Sequence, residues 1–120
     1  MNKGRKISGG KYHSHRKRKK DEKQGQENKL SLGEKKSKKI RTKGGNKRTI
    51  LLKSDIVNVI EKGKSKKTEI KNVIETPQNK FLARQNRLAK GVIIETSLGK
   101  AKITNRPSRE GSVNAVLIKE

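Results

Sequence analysis

The strongest constraint on how this chain folds is where its apolar residues lie. Ala, Val, Ile, Leu, Met and Phe number 5 in residues 1–48 and 26 in residues 49–120. Any core must be drawn almost wholly from the second part. That part is small for a self-sufficient domain and is built of aliphatics, with Phe81 its only aromatic. A core of this size gives marginal stability without a partner.

Charge divides the same way. Residues 1–48 carry 19 Lys/Arg against 4 acids, a net of +15, and residues 49–120 carry 15 against 7, a net of +8. A 120-residue chain with a formal charge of +23 repels itself, which points to a polyanion as its resident partner. The sequence predicts an arm over 1–37 that is disordered when free, because so much charge and so little to bury cannot offset ordering entropy. It predicts a folded domain over 38–120, monomeric when free. No stretch approaches the length and apolarity of a signal peptide or a membrane span, so a soluble, cytoplasmic protein is expected.

Within 38–120 the texture is that of short strands. Lys39 to Lys43 and Lys47 to Ser54 flank Gly44-Gly45-Asn46 and predict a hairpin or a sharp crossover. Ile56 to Ile60 is rich in β-branched residues, Lys62 to Ser65 turns the chain, and Thr68 to Glu75 forms the next strand, ended by Pro77. Lys80 to Lys90 lacks β-branched residues and lies between Asn79 and Gly91, which predicts one short helix with Phe81 and Leu88 on a shared face. Val92 to Thr96 and Lys100 to Thr104 predict a second hairpin, Arg106 to Gly111 a loop, and Ser112 to Lys119 the last strand. The sum is an all-β fold: a small β-barrel of about six short strands with at most one short helix, preceded by a disordered basic N-terminal arm. Ile93, Ile103, Val116 and Ile118 are expected in its core.

Catalytic chemistry finds little support. The absence of cysteine excludes disulfides and thiolate metal sites. His13 and His15 sit in the arm with too few further ligands for a metal, and the acids of the second part are scattered near strand ends. No enzyme activity, cofactor, metal or small-molecule substrate is expected. Gly44-Gly45-Asn46-Lys47 lacks the spacing of a phosphate loop and is read as a turn.

Nucleic-acid chemistry remains. Lys3, Arg5, Lys6, Lys11, Arg16, Lys17, Arg18, Lys19 and Lys20 can neutralise phosphates, and Tyr12, His13 and His15 offer flat surfaces to unpaired bases. In the domain, Arg41, Lys43, Lys47 and Arg48 near the first turn are candidates, followed by Arg84, Arg87, Arg106 and Arg109. An architectural DNA-binding role is the alternative, although no base-reading helix is evident. A bare nuclear import signal at Arg16–Lys20 would leave the glycines and aromatics upstream unexplained. Membrane-surface binding would want bulky apolar anchors that the arm lacks.

These residues also carry a family resemblance. Gly4-Arg5-Lys6-Ile7-Ser8-Gly9-Gly10-Lys11 with the basic run after it, and Arg41-Thr42-Lys43-Gly44-Gly45-Asn46-Lys47, resemble the small-subunit ribosomal protein S-eight-e family of archaea and eukaryotes. So do Lys90 to Thr96, Gly99 to Pro107 and Gly111 to Leu117, in the manner of its short, archaeal form. Ser8 departs mildly, standing where threonine would also fit. The resemblance implies a structural constituent of the small ribosomal subunit. It implies binding to small-subunit ribosomal RNA through a β-barrel and an extended arm, beside neighbouring ribosomal proteins, without catalysis.

Overall fold

The computed structural model describes residues 4–118. Among these residues, eight strands form two sheets. β1 (Ser31–Leu32), β2 (Lys36–Arg41) and β3 (Lys47–Ser54) make a three-stranded sheet with β3 at its centre, antiparallel to β2 and parallel to β1. β4 (Ile56–Glu61), β5 (Lys64–Glu75), β6 (Ile93–Thr96), β7 (Gly99–Ile103) and β8 (Asn114–Leu117) close a five-stranded barrel. Five successive antiparallel strands leave the first and last pointing the same way. The seam that closes the barrel, β4 against β8, is accordingly parallel.

The all-β class with a small barrel is what the structure shows, and its first hairpin belongs to the separate sheet rather than to the barrel. Asp55 alone joins β3 to β4. Helical structure is confined to short pieces: a 3-10 turn at Lys43–Gly45, α1 (Lys80–Arg84) and α2 (Pro107–Glu110), where the sequence predicted a loop.

Alternation places the core. On β4, Val57 and Val59 are buried while Ile56 and Ile60 are exposed, and on β7 Ala101 and Ile103 are buried between exposed lysines. β5 pairs first with β4 and then, from Ile70 on, with β6, so it must bend sharply. The register shift between Ile70 and Asn72 is a bulge that lets both Ile70 and Val73 point inward, and Asn72 Oδ1 accepts the Val73 N–H at 2.9 Å. Ile94, Val92, Val113 and Ala115 complete the interior.

Parity also corrects one expectation. Ile103 is buried and Ile93 half-buried, but Val116 and Ile118 are exposed, because the register that puts Ala115 inside turns both of them out. The end of the expected last strand, Lys119, lies outside the described residues.

The expected helix over 80–90 stops at Arg84. Asn79 caps it as anticipated, its Oδ1 accepting the Phe81 N–H at 2.9 Å, but Asn86 takes a left-handed conformation (φ 50°) that turns the chain. Leu88 N–H then donates to the Leu30 carbonyl at 3.1 Å, and the Leu32 N–H donates to the Asn86 carbonyl at 3.0 Å. With the helix gone, Phe81 and Leu88 share no face: Phe81 is 68% exposed and Leu88 is buried in the core.

Residues 30–32 thus sit between β3 on one side and residues 86–88 on the other, and Leu30 is part of the core cluster. The packed unit reaches back to Leu30, ahead of Lys38. Residues 4–29 are all exposed. The radius of gyration, 20.9 Å, far exceeds the roughly 14 Å of a compact chain of this length, as an outlying arm requires.

α2 packs on β3 through Gly111, which ends the helix at φ 77°. A Cβ there would lie 3.2 Å from the Thr49 side chain and 3.3 Å from its carbonyl oxygen. Gly111→Ala combines an unfavourable left-handed alanine with that close approach, and should cost about 1–3 kcal/mol in urea unfolding.

Candidate nucleic-acid interface

Three basic regions are built on this frame. In the arm, Arg5 pairs with Lys11 across a small turn. The Lys6 N–H donates to the Gly10 carbonyl at 2.9 Å, the Gly9 N–H to the Lys6 carbonyl at 2.8 Å, and Arg5 Nη1 to the Gly9 carbonyl at 3.0 Å. Gly9 adopts φ 77°, which explains a glycine at that corner. Ile7 stands fully exposed at the apex. Lys6 Nζ lies 5.7 Å from the centroid of the exposed Tyr12 ring.

Farther along, His13, His15, Lys17, Arg18, Lys19 and Lys20 are exposed. Arg16 pairs with Glu22 at 2.9 Å, and the Lys19 N–H donates to the other carboxylate oxygen at 3.0 Å. Those two bonds, Arg16 first, hold the Glu22 carboxyl below the usual glutamate range. Lys3 lies outside the described residues.

The second region is the β2–β3 tip. Thr42 closes it, its backbone N–H and its hydroxyl both donating to the Asn46 carbonyl at 2.7 and 3.0 Å. The register sets Arg41 directly opposite Lys47, and Lys36 opposite Lys53. Like charges in such cross-strand pairs repel and cost stability. Neither β2 nor β3 carries an acid of its own. Arg41, Lys43, Lys47 and Arg48 are all exposed, so the tip concentrates cation at one end of a rigid hairpin.

The third region is a cleft of about 790 Å³ at the side of the barrel, bounded by residues 27–30, 87–91 and 106–108 together with Gln78, Leu82, Gln85 and Lys102. It brings Arg87 and Arg106 together with Lys29, Lys90 and Lys102, against the single acid Glu27. The sequence reading singled out the two arginines and missed the three lysines. Outward parity on β7 is the signal that could have found Lys102. Arg84 and Arg109 lie elsewhere: Arg84 sits with its guanidinium carbon 6.0 Å from the Phe81 ring centroid, and Arg109 is exposed in α2.

A further basic apex passed over by the sequence reading is the β4–β5 turn, where Lys62 (φ 45°) and Gly63 (φ 79°) both take positive φ and Lys64 follows. Lys66 there pairs with Glu61 at 3.5 Å. Among the described residues, no group of three or more His, Cys, Asp or Glu is placed to hold a metal ion, and no helix is long and apolar enough to cross a membrane.

Comparison with known proteins agrees over nearly the whole length. The chain matches the family model described as Ribosomal protein S8e over residues 1–118. It is 45% identical over 120 residues to the small ribosomal subunit protein eS8 of Sulfurisphaera tokodaii, covering 97% of this chain and 93% of that one. It is 40% identical over 116 residues to the eS8 protein of Methanosarcina barkeri, covering 95% and 93%. It is 44% identical over 89 residues to that of Methanocella arvoryzae, covering 72% and 71%. Arm, tip and barrel all fall inside the family-model match, and the chain belongs to the ribosomal protein S8e family.

Proposed function

We propose that this protein is a structural constituent of the small ribosomal subunit, binding and stabilising folded ribosomal RNA through its arm and the basic surfaces of its domain. The observation that carries the reading is the β2–β3 tip. Its opposed Arg41 and Lys47 are held together by the strand register with no acid on either strand, a pairing that costs stability unless a polyanion sits against it. The near full-length relatives, named as small ribosomal subunit proteins, support ribosomal RNA as that polyanion.

In this reading the barrel docks on an RNA surface and the arm runs between RNA helices, neutralising phosphates that would otherwise repel. The role is structural rather than catalytic. The protein is a monomer before assembly and lies beside other ribosomal proteins in the cytoplasmic ribosome afterwards.

The test is competition between small-subunit ribosomal RNA fragments and duplex DNA of equal length at about 150 mM salt, where nonspecific attraction is largely screened. Preference for one or more RNA fragments by about 100-fold or more is expected. Equal affinities across the panel would instead support the architectural DNA-binding role.

A further inference from the structure

Resting on the RNA-binding reading, we propose that the cleft between the arm's end and the 78–91 segment is a site for a single unpaired RNA nucleotide. Its volume, about 790 Å³, falls within the roughly 300–1,000 Å³ of built ligand sites. Its lining has the two parts a nucleotide needs. Leu82 and Ala89, both half-buried, supply an apolar wall for a base, and Arg87 and Arg106 bring guanidinium groups for its phosphate.

Two amides complete the match. Gln78 Nε2 donates to the Lys90 carbonyl at 2.6 Å, which fixes that side chain and leaves its oxygen able to accept. Gln85 Oε1 accepts from Arg87 Nε at 3.2 Å, which leaves the Gln85 amide nitrogen able to donate. One fixed acceptor and one fixed donor on the same cleft are what a base edge requires. The bond also orients Arg87 through its Nε, leaving both Nη groups to grip phosphate.

The arm strengthens the assignment. Glu27, Asn28 and Lys29, its last residues before β1, line the cleft. An RNA strand followed by the basic arm is therefore led to this opening. A protein partner would want acids to answer five cations and would have no use for the paired amides. Unpaired, unstacked nucleotides are common in folded RNA.

The experiment uses the full chain and RNA duplexes identical except for one bulged nucleotide, each of the four bases in turn, against the fully paired duplex at about 150 mM salt. At least one bulged duplex should bind about 10-fold more tightly than the paired one, the size of effect expected from burying part of a base on Leu82 and Ala89 and pairing its edge. Leu82→Trp, which fills the cleft, should abolish that difference and leave the paired duplex's affinity unchanged. Gln85→Glu, at an exposed position where folding is not at stake, should reduce it at least severalfold through charge repulsion and loss of the donor.

Equal binding of bulged and paired duplexes overturns the nucleotide site while leaving the RNA-binding reading intact. So does a preference that survives both substitutions, or that survives Gln85→Glu should Leu82→Trp fail to fold. Failure to bind any RNA at this salt overturns both.

Discussion

A chain beginning at Asp21 will bind small-subunit ribosomal RNA orders of magnitude more weakly than the whole protein at about 150 mM salt, and will melt at the same temperature. Residues 1–20 hold nine Lys/Arg and no acid. Each phosphate neutralised contributes roughly 0.7–0.9 to the slope of log K against log salt. Six engaged cations of the nine make the truncated chain's slope shallower by about 4–5. Six is also the number at which affinity becomes sensitive to salt by about 10³ over the physiological range.

Stability should not follow, because the arm's contacts are local. The turn at Arg5–Lys11 closes on itself, and the Arg16–Glu22 pair is solvent-exposed and screened by salt, so it adds little to stability. Binding isotherms at four salt concentrations and a thermal melt separate the two effects. An unchanged salt slope would mean that the β2–β3 tip and the cleft carry the RNA contacts and that the arm's charge does not touch phosphate.

Much of the barrel was legible because its information is local. Val57 and Val59 alternate with Ile56 and Ile60, and Ala101 and Ile103 with lysines, so each strand declares its inner face within a few residues. The β2–β3 hairpin declares itself through Gly44-Gly45-Asn46 in the same way.

What stayed hidden depends on distant partners. Lys80 to Lys90 has the composition of a helix, and only the pairing of residues 86–88 with Leu30 and Leu32 cuts it short. Val116 and Ile118 are as apolar as Ala115, and only the β7–β8 register decides that the small residue goes inside. The bulge in β5 breaks the period by which Ile70 and Val73 could be seen to share a face.

The candidate site divides along the same line. The arm and the tip are runs of cations, visible in composition. The cleft is assembled from segments scattered from Glu27 to Ser108, so Arg87 and Arg106 could be named while their juxtaposition could not. Isolated in sequence between charged tracts, Leu30 and Leu32 form too short an alternation to be read as a strand. Their role is set wholly by what lies across from them.

That role makes Leu30→Ala the second large effect expected, and one that a boundary at Lys38 does not foresee. Leu30 is 3% exposed in the shared core, joined there by Leu51 from β3 and Leu88 from the segment after α1. Removing its side chain takes away buried apolar surface and leaves a cavity that two hydrogen-bonded neighbours prevent from collapsing, a loss of about 2–4 kcal/mol. For a domain of this size that is a drop in melting temperature of roughly 10–30 °C, and a large share of a total stability of about 5–15 kcal/mol. Phe81→Ala deletes a larger side chain but an exposed one, and should change stability by less than about 0.5 kcal/mol. A chain beginning at Lys38 loses Leu30, β1 and the first two residues of β2, uncovering one edge of β3 and the backbone groups of residues 86–88. It should fail to give the cooperative melt that a chain beginning at Gln26 retains. A cooperative melt from both, at one temperature, would place Leu30 outside the core and return the start of the domain to Lys38.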